Sequence, residues 1–398
     1  MLPQLVAGFT IAIVFGAVLS IVLTAAGPHG MRLSDAQTSG WIALVYGLPM
    51  VPSLVLTLRY REPLLLTGNI FALIFFASLG DRVGFAELTG ATMLAGAIVL
   101  VTALAGWTGK ISGWIPVPIV HAMIAGAVLP FVVGIFSAMS THEGAVGIEV
   151  PIMVAAAVLA YLVTPALIGT RVPATLPAFI VGLMVAIVTG QIGTIPHLAL
   201  PTLDPVVPRA SLRAIATVTP VVIALMTVQS NVPSVIYLRS QSYDPPERLL
   251  NVISGAGTLV GSAFGPVAMS LALPPLLLAA GPSAGEHPVR YRSVYVPIAA
   301  GLLIAVFAGT AADLAVILPP VLLLTMAGLA LLPALVAALK EIVAGPLVLG
   351  PVFAFAIALS DISVLGLGPF FWALILGTLV SLVFERDRWR EFRRGTDR

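Results

Sequence analysis

Three short polar stretches interrupt otherwise apolar runs, and each carries residue types able to bind a small solute. Thr67-Gly68-Asn69 opens one apolar run and is followed by Phe71 and Phe75. Ser270 opens another, with Met269 beside it and Phe264 just upstream. Gln229-Ser230-Asn231-Val232-Pro233-Ser234 lies inside a third, where Asn231 stands two places before a helix-breaking proline. Hydroxyls and amides in a hydrocarbon setting are expensive unless they have a partner or a purpose. If the first two stretches are extended before they become helical, the free N–H groups of each first turn point toward the bilayer midplane. Two such N-termini facing each other would cradle an anion without any Lys or Arg. His121, about one turn into a further apolar run, can titrate near neutral pH and is the candidate for proton coupling. Each of these features also has a plain structural reading. Pro and Gly kink ordinary membrane helices, amides such as Gln229 and Asn231 join neighbouring helices, and a lone histidine can simply be a satisfied structural residue.

Signatures of soluble enzymes are missing: the chain has no P-loop, no G-x-S-x-G elbow and no H-E-x-x-H, and its five histidines are scattered. No catalytic residue, cofactor or metal site is expected. The absence of cysteine rules out disulfides and thiolate metal ligation. Carboxylates at the midplane are nearly absent as well, so the paired acid that would grip a nucleobase is not available in the runs around Asn231 and Ser270. That counts against a purine or uracil carrier.

The elements that position these residues follow from composition. Charged residues make up 9% of the 398 and hydrophobic residues 59%, against roughly 25% charged in a soluble domain. The chain is expected to be an all-α integral membrane protein whose environment is the lipid bilayer. Its net charge of +2 sits in short clusters that read as topology determinants, so nucleic acid is not an expected partner. At roughly 20 apolar residues per span, fourteen segments can be drawn: 3–26, 40–58, 64–78, 88–106, 118–138, 150–168, 175–191, 214–237, 250–264, 267–280, 294–310, 315–338, 344–360 and 364–384. The first is read as a retained helix, because no Lys or Arg precedes it and no small-residue cleavage site follows.

Lys and Arg alternate across the loops between these segments. Fifteen of the nineteen fall on one side, and only Arg32, Arg82, Arg209 and Arg213 fall on the other, which predicts that both termini are cytoplasmic. Seven spans per half imply an inverted repeat, with the break in the polar joint near residue 205, giving units 1–204 and 205–398. The third span of each half is short and begins at a proline, Pro63 and Pro266, 203 residues apart. Short, Pro-interrupted segments at matching places in two halves point to a transporter's binding site. The residues expected to line it are Thr67, Gly68, Asn69, Gln229, Ser230, Asn231 and Ser270, with Phe71, Phe264 and Met269 as secondary members.

Several stretches resemble the benzoate/proton symporters, relatives in fold of the uracil permease and nucleobase-ascorbate carriers. They include Leu33 to Trp41, Leu58-Arg59-Tyr60-Arg61-Glu62-Pro63, Asn231-Val232-Pro233 and Tyr243-Asp244-Pro245-Pro246. The most specific is Gly281-Pro282-Ser283-Ala284-Gly285-Glu286-His287-Pro288 with Arg290-Tyr291-Arg292, supported by Ala327 to Leu332 and Gly366 to Trp372. The resemblance implies a core domain (1–108 and 210–310), a gate domain (112–200 and 312–386), half-helices in spans 3 and 10, and substrate held between them. It also implies a carrier in the inner membrane that moves an aromatic or similarly apolar monocarboxylate together with a proton, with a homodimer as an option. The pocket stretches depart from the family's pattern: Leu66-Thr67-Gly68-Asn69 stands where a tryptophan-serine-threonine-proline run is expected, and Gly265-Pro266-Val267 where a glycine-histidine pair is expected. The alternatives are a carrier of another small anion or nucleobase-like solute, or an integral membrane enzyme. A sulfate-type carrier is disfavoured because no soluble domain follows the last span.

Overall fold

A computed structural model describes residues 2–27, 30–107, 116–137, 139, 148–168, 173–193, 198–360, 362, 364 and 369–389. In chain order the first half contains α1 (Leu2–Ala26), α2 (Asp35–Gly47), α3 (Met50–Tyr60), β1 (Leu66–Gly68), α4 (Ile70–Leu79), α5 (Phe85–Leu104), α6 (Val117–Ser137), α7 (Glu149–Ile168) and α8 (Thr175–Val188). The second contains α9 (Leu212–Met226), a π-turn (Thr227–Asn231), α10 (Val232–Ser240), α11 (Glu247–Gly261), β2 (Met269–Leu271), α12 (Leu273–Ala279), α13 (Tyr295–Val306), α14 (Ala308–Ile317), α15 (Pro320–Ala344), α16 (Leu349–Leu359) and α17 (Pro369–Phe384). Helices dominate because hydrocarbon offers no partner for backbone N–H and C=O groups, and a helix satisfies them within one segment. Among the described residues seven helical stretches are long and apolar enough to cross a bilayer, and shorter apolar helices accompany them.

One apolar run is divided differently from the sequence expectation. The segment drawn over 315–338 is split at Leu318-Pro319 into α14 and α15, and α15 extends to Ala344. Pro319 is extended (φ −53°, ψ 129°), and a residue followed by proline is driven out of the helical region, so the pair Pro319-Pro320 starts a new helix instead of continuing the old one.

Irregular backbone at membrane depth is tolerated only inside protein, and the two strands satisfy that condition. Leu64, Leu65, Leu66, Val267 and Leu271 are all 0% exposed. β1 and β2 pair antiparallel in the register Leu66↔Leu271, Thr67↔Ser270, Gly68↔Met269. A two-stranded ribbon leaves outward N–H groups on both edges, and side chains close them here. Ser53 Oγ accepts from Leu66 N (2.8 Å), Thr258 Oγ1 from Met269 N (2.8 Å), and Asn231 Oδ1 from Leu271 N (2.8 Å). Each strand thus takes its edge-closing side chains from its own half of the chain and its ladder partner from the other half.

α5 packs on α9 and α11, while α6 packs on α15 and α16, α16 on α17, and α7 on α8. Glycine permits the closest of these approaches: a Cβ on Gly255 of α11 would lie 2.5 Å from Leu100 N of α5, the small-residue contact by which membrane helices associate. α1 touches α4, α13 and α15 and so lies between the two sets of helices.

Candidate functional site

Asn69 is the hinge pin of the strand ribbon. As the N-cap of α4 its Oδ1 accepts from Ala72 N (2.9 Å), leaving the N–H groups of Ile70 and Phe71 at the helix start without an intrahelical partner. Its Nδ2 donates toward Ser230 Oγ (2.8 Å), Ser270 Oγ (2.9 Å) and the Leu225 carbonyl (3.1 Å). One buried amide thus ties α4, α9, the π-turn and β2 together, with both its oxygen and its amino group engaged in doing so.

Around this knot lies a recess whose unfilled space, including its open mouth, is ≈ 630 Å³. Thr67, Gly68, Asn69, Phe71, Ser230 and Ser270 border it, as do Phe15 and Val18 of α1 and Tyr46 of α2. No charged side chain lines it. The polar groups left to meet a ligand are the Thr67 and Ser230 hydroxyls and the first N–H groups of α4, because Ser230 Oγ accepts from Asn69 and still has its own O–H to give. The facing end is poorer in donors than two opposed helix starts would be. α12 begins Leu273-Pro274-Pro275, and proline has no N–H.

The remaining sequence candidates sit elsewhere. Asn231, beyond closing the β2 edge, donates from Nδ2 to Asn251 Oδ1 (2.9 Å) and Ser254 Oγ (3.2 Å). Gln229 meets His121, with Nε2 of each 3.3 Å apart. Met269 packs against Gly257, and neither it nor Phe264 borders the recess. The π-turn that sets these directions has a local cause: Pro233 cannot donate and its ring crowds the preceding turn, and the backbone widens so that Val232 N reaches the Thr227 carbonyl. Phe15, Val18 and Tyr46 escaped the sequence reading. The only signal was the tyrosine hydroxyl in an apolar run, and it is used to donate to the Phe15 carbonyl (2.8 Å).

The loop motifs gather away from the recess. Glu62 Oε1 accepts from Asp244 N (3.0 Å), and Tyr243 stacks on His287 with ring centroids 4.3 Å apart. Arg290 donates to the carbonyls of Gly285 (2.8 Å) and Ala280 (2.9 Å). Burial pushes the Glu62 carboxyl above its ordinary range, against the lowering effect of the Asp244 N–H. These motifs clasp three loops to one another, which is a structural reason for their composition.

A family model described as benzoate membrane transport protein matches residues 1–383. The chain belongs to that family. This benzoate-transport family chain is 26% identical over 398 residues to the inner membrane protein YdcO of Escherichia coli (strain K12), covering 97% of this chain and 98% of the relative. It is 23% identical to a benzoate membrane transport protein of Acinetobacter baylyi, over 93% and 94% of the two chains. Among solved structures it resembles the transmembrane domain of the cyanobacterial bicarbonate transporter BicA, with TM-score 0.57, 16% identity and 96% of each chain covered. It also resembles the murine Solute Carrier 26 family member A9 anion transporter in the inward-facing state, with TM-score 0.64, 13% identity, 98% of this chain and 69% of that one. At such identities the likeness is one of fold. Family and fold together make the benzoate-transport family chain a multi-pass membrane transporter and not an enzyme.

Proposed function

We propose that the chain is a proton-coupled symporter of benzoate or a similar small aromatic or apolar monocarboxylate, working in an inner membrane with both termini cytoplasmic. The observation that carries this reading is the recess, which combines apolar walls with a few uncharged donors at one helix start and no Lys or Arg. An isolated helix N-terminus with hydroxyls suits a single carboxylate on a hydrophobic body. In this reading the carboxylate meets the Ile70 and Phe71 N–H groups and the Thr67 and Ser230 hydroxyls, and the ring lies against Phe15, Val18 and Phe71. Moving one negative charge against a potential of about 100 mV costs roughly 2.3 kcal/mol, and a proton carried with it removes that cost. His121 is the proposed carrier of this proton.

The same reading takes β1–α4 and β2–α12 as half-spanning segments within fourteen spans. It groups 1–108 with 210–310 as a core and 112–200 with 312–386 as a gate, on inverted repeats 1–204 and 205–398, with a homodimer as one arrangement. The extensive packing of α5 on α9 and α11, and of α6 on α15 and α16, beside a smaller contact of α9 with α17, supports this division. Purified protein in liposomes provides the test: labelled benzoate uptake should rise with an inward proton gradient and respond weakly to potential at fixed gradient. Uptake of bicarbonate or a nucleobase with none of benzoate, or benzoate uptake driven by potential alone, would reject the reading.

A further inference from the structure

His121 and Gln229 form a contact that the substrate recess does not explain. His121 Nδ1 lies 3.0 Å from the Val117 carbonyl one turn earlier in α6. A carbonyl only accepts, so Nδ1 carries the hydrogen, and in the neutral ring Nε2 is left as an acceptor. The group 3.3 Å from that Nε2 is Gln229 Nε2, which donates to it. The other end of the same amide is unsatisfied: Gln229 is 7% exposed, and its Oε1 is buried with no hydrogen-bond partner. A buried orphan carbonyl is costly, and its presence asks for a state in which it is used.

Protonation of the imidazole supplies that state. When Nε2 takes up the ring's second proton it becomes a donor, the Gln229 amino group can no longer face it, and the amide must turn over so that Oε1 accepts. The hydrogen bond then becomes charge-assisted, and the amino group swings to where the orphan oxygen had been. Gln229 adjoins Ser230, whose hydroxyl borders the recess and accepts from Asn69. The amide therefore turns over one residue from the site.

Few other charges address the imidazole. α6 contributes no other titratable group. Of the elements packed on it, α4, α16, α17 and the π-turn contribute none. α15 contributes Lys340 and Glu341, and Glu341 acts on His121 electrostatically.

We propose that Gln229 is the positioning residue that reads the proton on His121, its side-chain amide reversing when the imidazole is charged, and that this pair joins α6 to the π-turn beside the recess. The proposal rests on the reading of the chain as a proton-coupled carrier and names its coupling element. It also moves Gln229 from substrate ligand to partner of the proton site.

The test compares the wild type with Gln229→Met, which removes both amide functions at similar length, and Gln229→Glu, which supplies a fixed acceptor. Two readouts are taken: the pH midpoint of benzoate uptake in liposomes, and the titration of the His121 imidazole by nitrogen NMR in micelles, assigned with His121→Asn. Both midpoints should move in opposite directions in the two variants. Gln229→Glu should raise them by about one pH unit or more, the size expected of an opposite charge within ~4–6 Å, and Gln229→Met should lower them because the charged ring loses the stronger bond. Midpoints that stay fixed, or that shift the same way in both variants, overturn the proposal. A wild type that takes up no benzoate rejects the substrate reading alone, since the NMR titration still decides whether Gln229 reads His121.

Discussion

Asn69 and Thr67 stand two residues apart in one motif, yet their substitution should separate two functions. Asn69→Ala would leave the Ala72 N–H, two serine hydroxyls and the Leu225 carbonyl without their shared partner. At about 1–3 kcal/mol for a buried group left unpaired, the loss should exceed about 2 kcal/mol, lowering the unfolding temperature in detergent and abolishing uptake together. Thr67→Val keeps the shape and removes a hydroxyl that borders the recess. Its unfolding temperature should stay near the wild type while benzoate affinity falls by about tenfold or more, the loss of one hydrogen bond to a charged group; equal losses of stability in the two variants would contradict this. The polar residues that border the candidate recess, Thr67, Asn69, Ser230 and Ser270, were legible because a hydroxyl or amide in a hydrocarbon run demands a reason. The apolar wall was not: nothing distinguishes Phe15 or Val18 from any other residue of α1 until the helix has been placed. Asn231 was legible as important but not as an edge-closing group, since the β2 edge that it satisfies exists only in the folded ribbon.

Single contacts decide the behaviour of whole elements. A Cβ on Gly68 would lie 2.7 Å from Val45 Cγ1 and 3.0 Å from the Val45 carbonyl, so Gly68→Ala should push β1 off α2 at about 1–3 kcal/mol, read as a lower unfolding temperature and slower uptake. At the other end of the chain Glu385 receives the start of α16: its carboxylate accepts from Val348 N (2.8 Å), Leu349 N (2.9 Å), Gly350 N (3.0 Å) and Ser381 Oγ (3.0 Å). Burial alone would raise its pKa, but these four bonds outweigh burial and hold it below the ordinary carboxylate range. A depressed acid stabilises the fold above its unfolded pKa, and that stability is lost as pH falls through the lower folded value. The acid limb of a melting curve should therefore be steeper in the wild type than in Glu385→Gln, which at neutral pH should already be about 2 kcal/mol less stable; parallel limbs would remove the argument. Apolar runs were legible from composition because the bilayer enforces them. The division into α14 and α15 hung on Pro319-Pro320, and the π-turn on Pro233, where proline marks a change without saying which change it will be.

At the scale of the whole molecule the proposed orientation, with most Lys and Arg on the cytoplasmic side, is testable in a cysteine-free chain. Asp204→Cys, between the halves, should react with an impermeant thiol reagent from outside, and Glu286→Cys only from the cytoplasm; the reverse pattern would invert the topology. A membrane protein of many apolar helices was legible from composition, but the pairing of β1 with β2 was not, because strand pairing joins residues that no local pattern connects. That pairing has a consequence for biogenesis. β1 is made long before β2, which begins 203 residues later. At about 5–20 residues per second of synthesis, the first half waits on the order of ten to forty seconds with the edge of its strand unmet in a solvent that cannot hydrate it. The nascent first half therefore needs the insertion machinery, or a provisional hydrogen-bonding partner, to shelter Leu66 to Asn69 until the ribosome has delivered residue 271. An arrest sequence placed to stall translation before that point should leave β1 open to cross-linking by a probe at position 67, and one placed well after it should not.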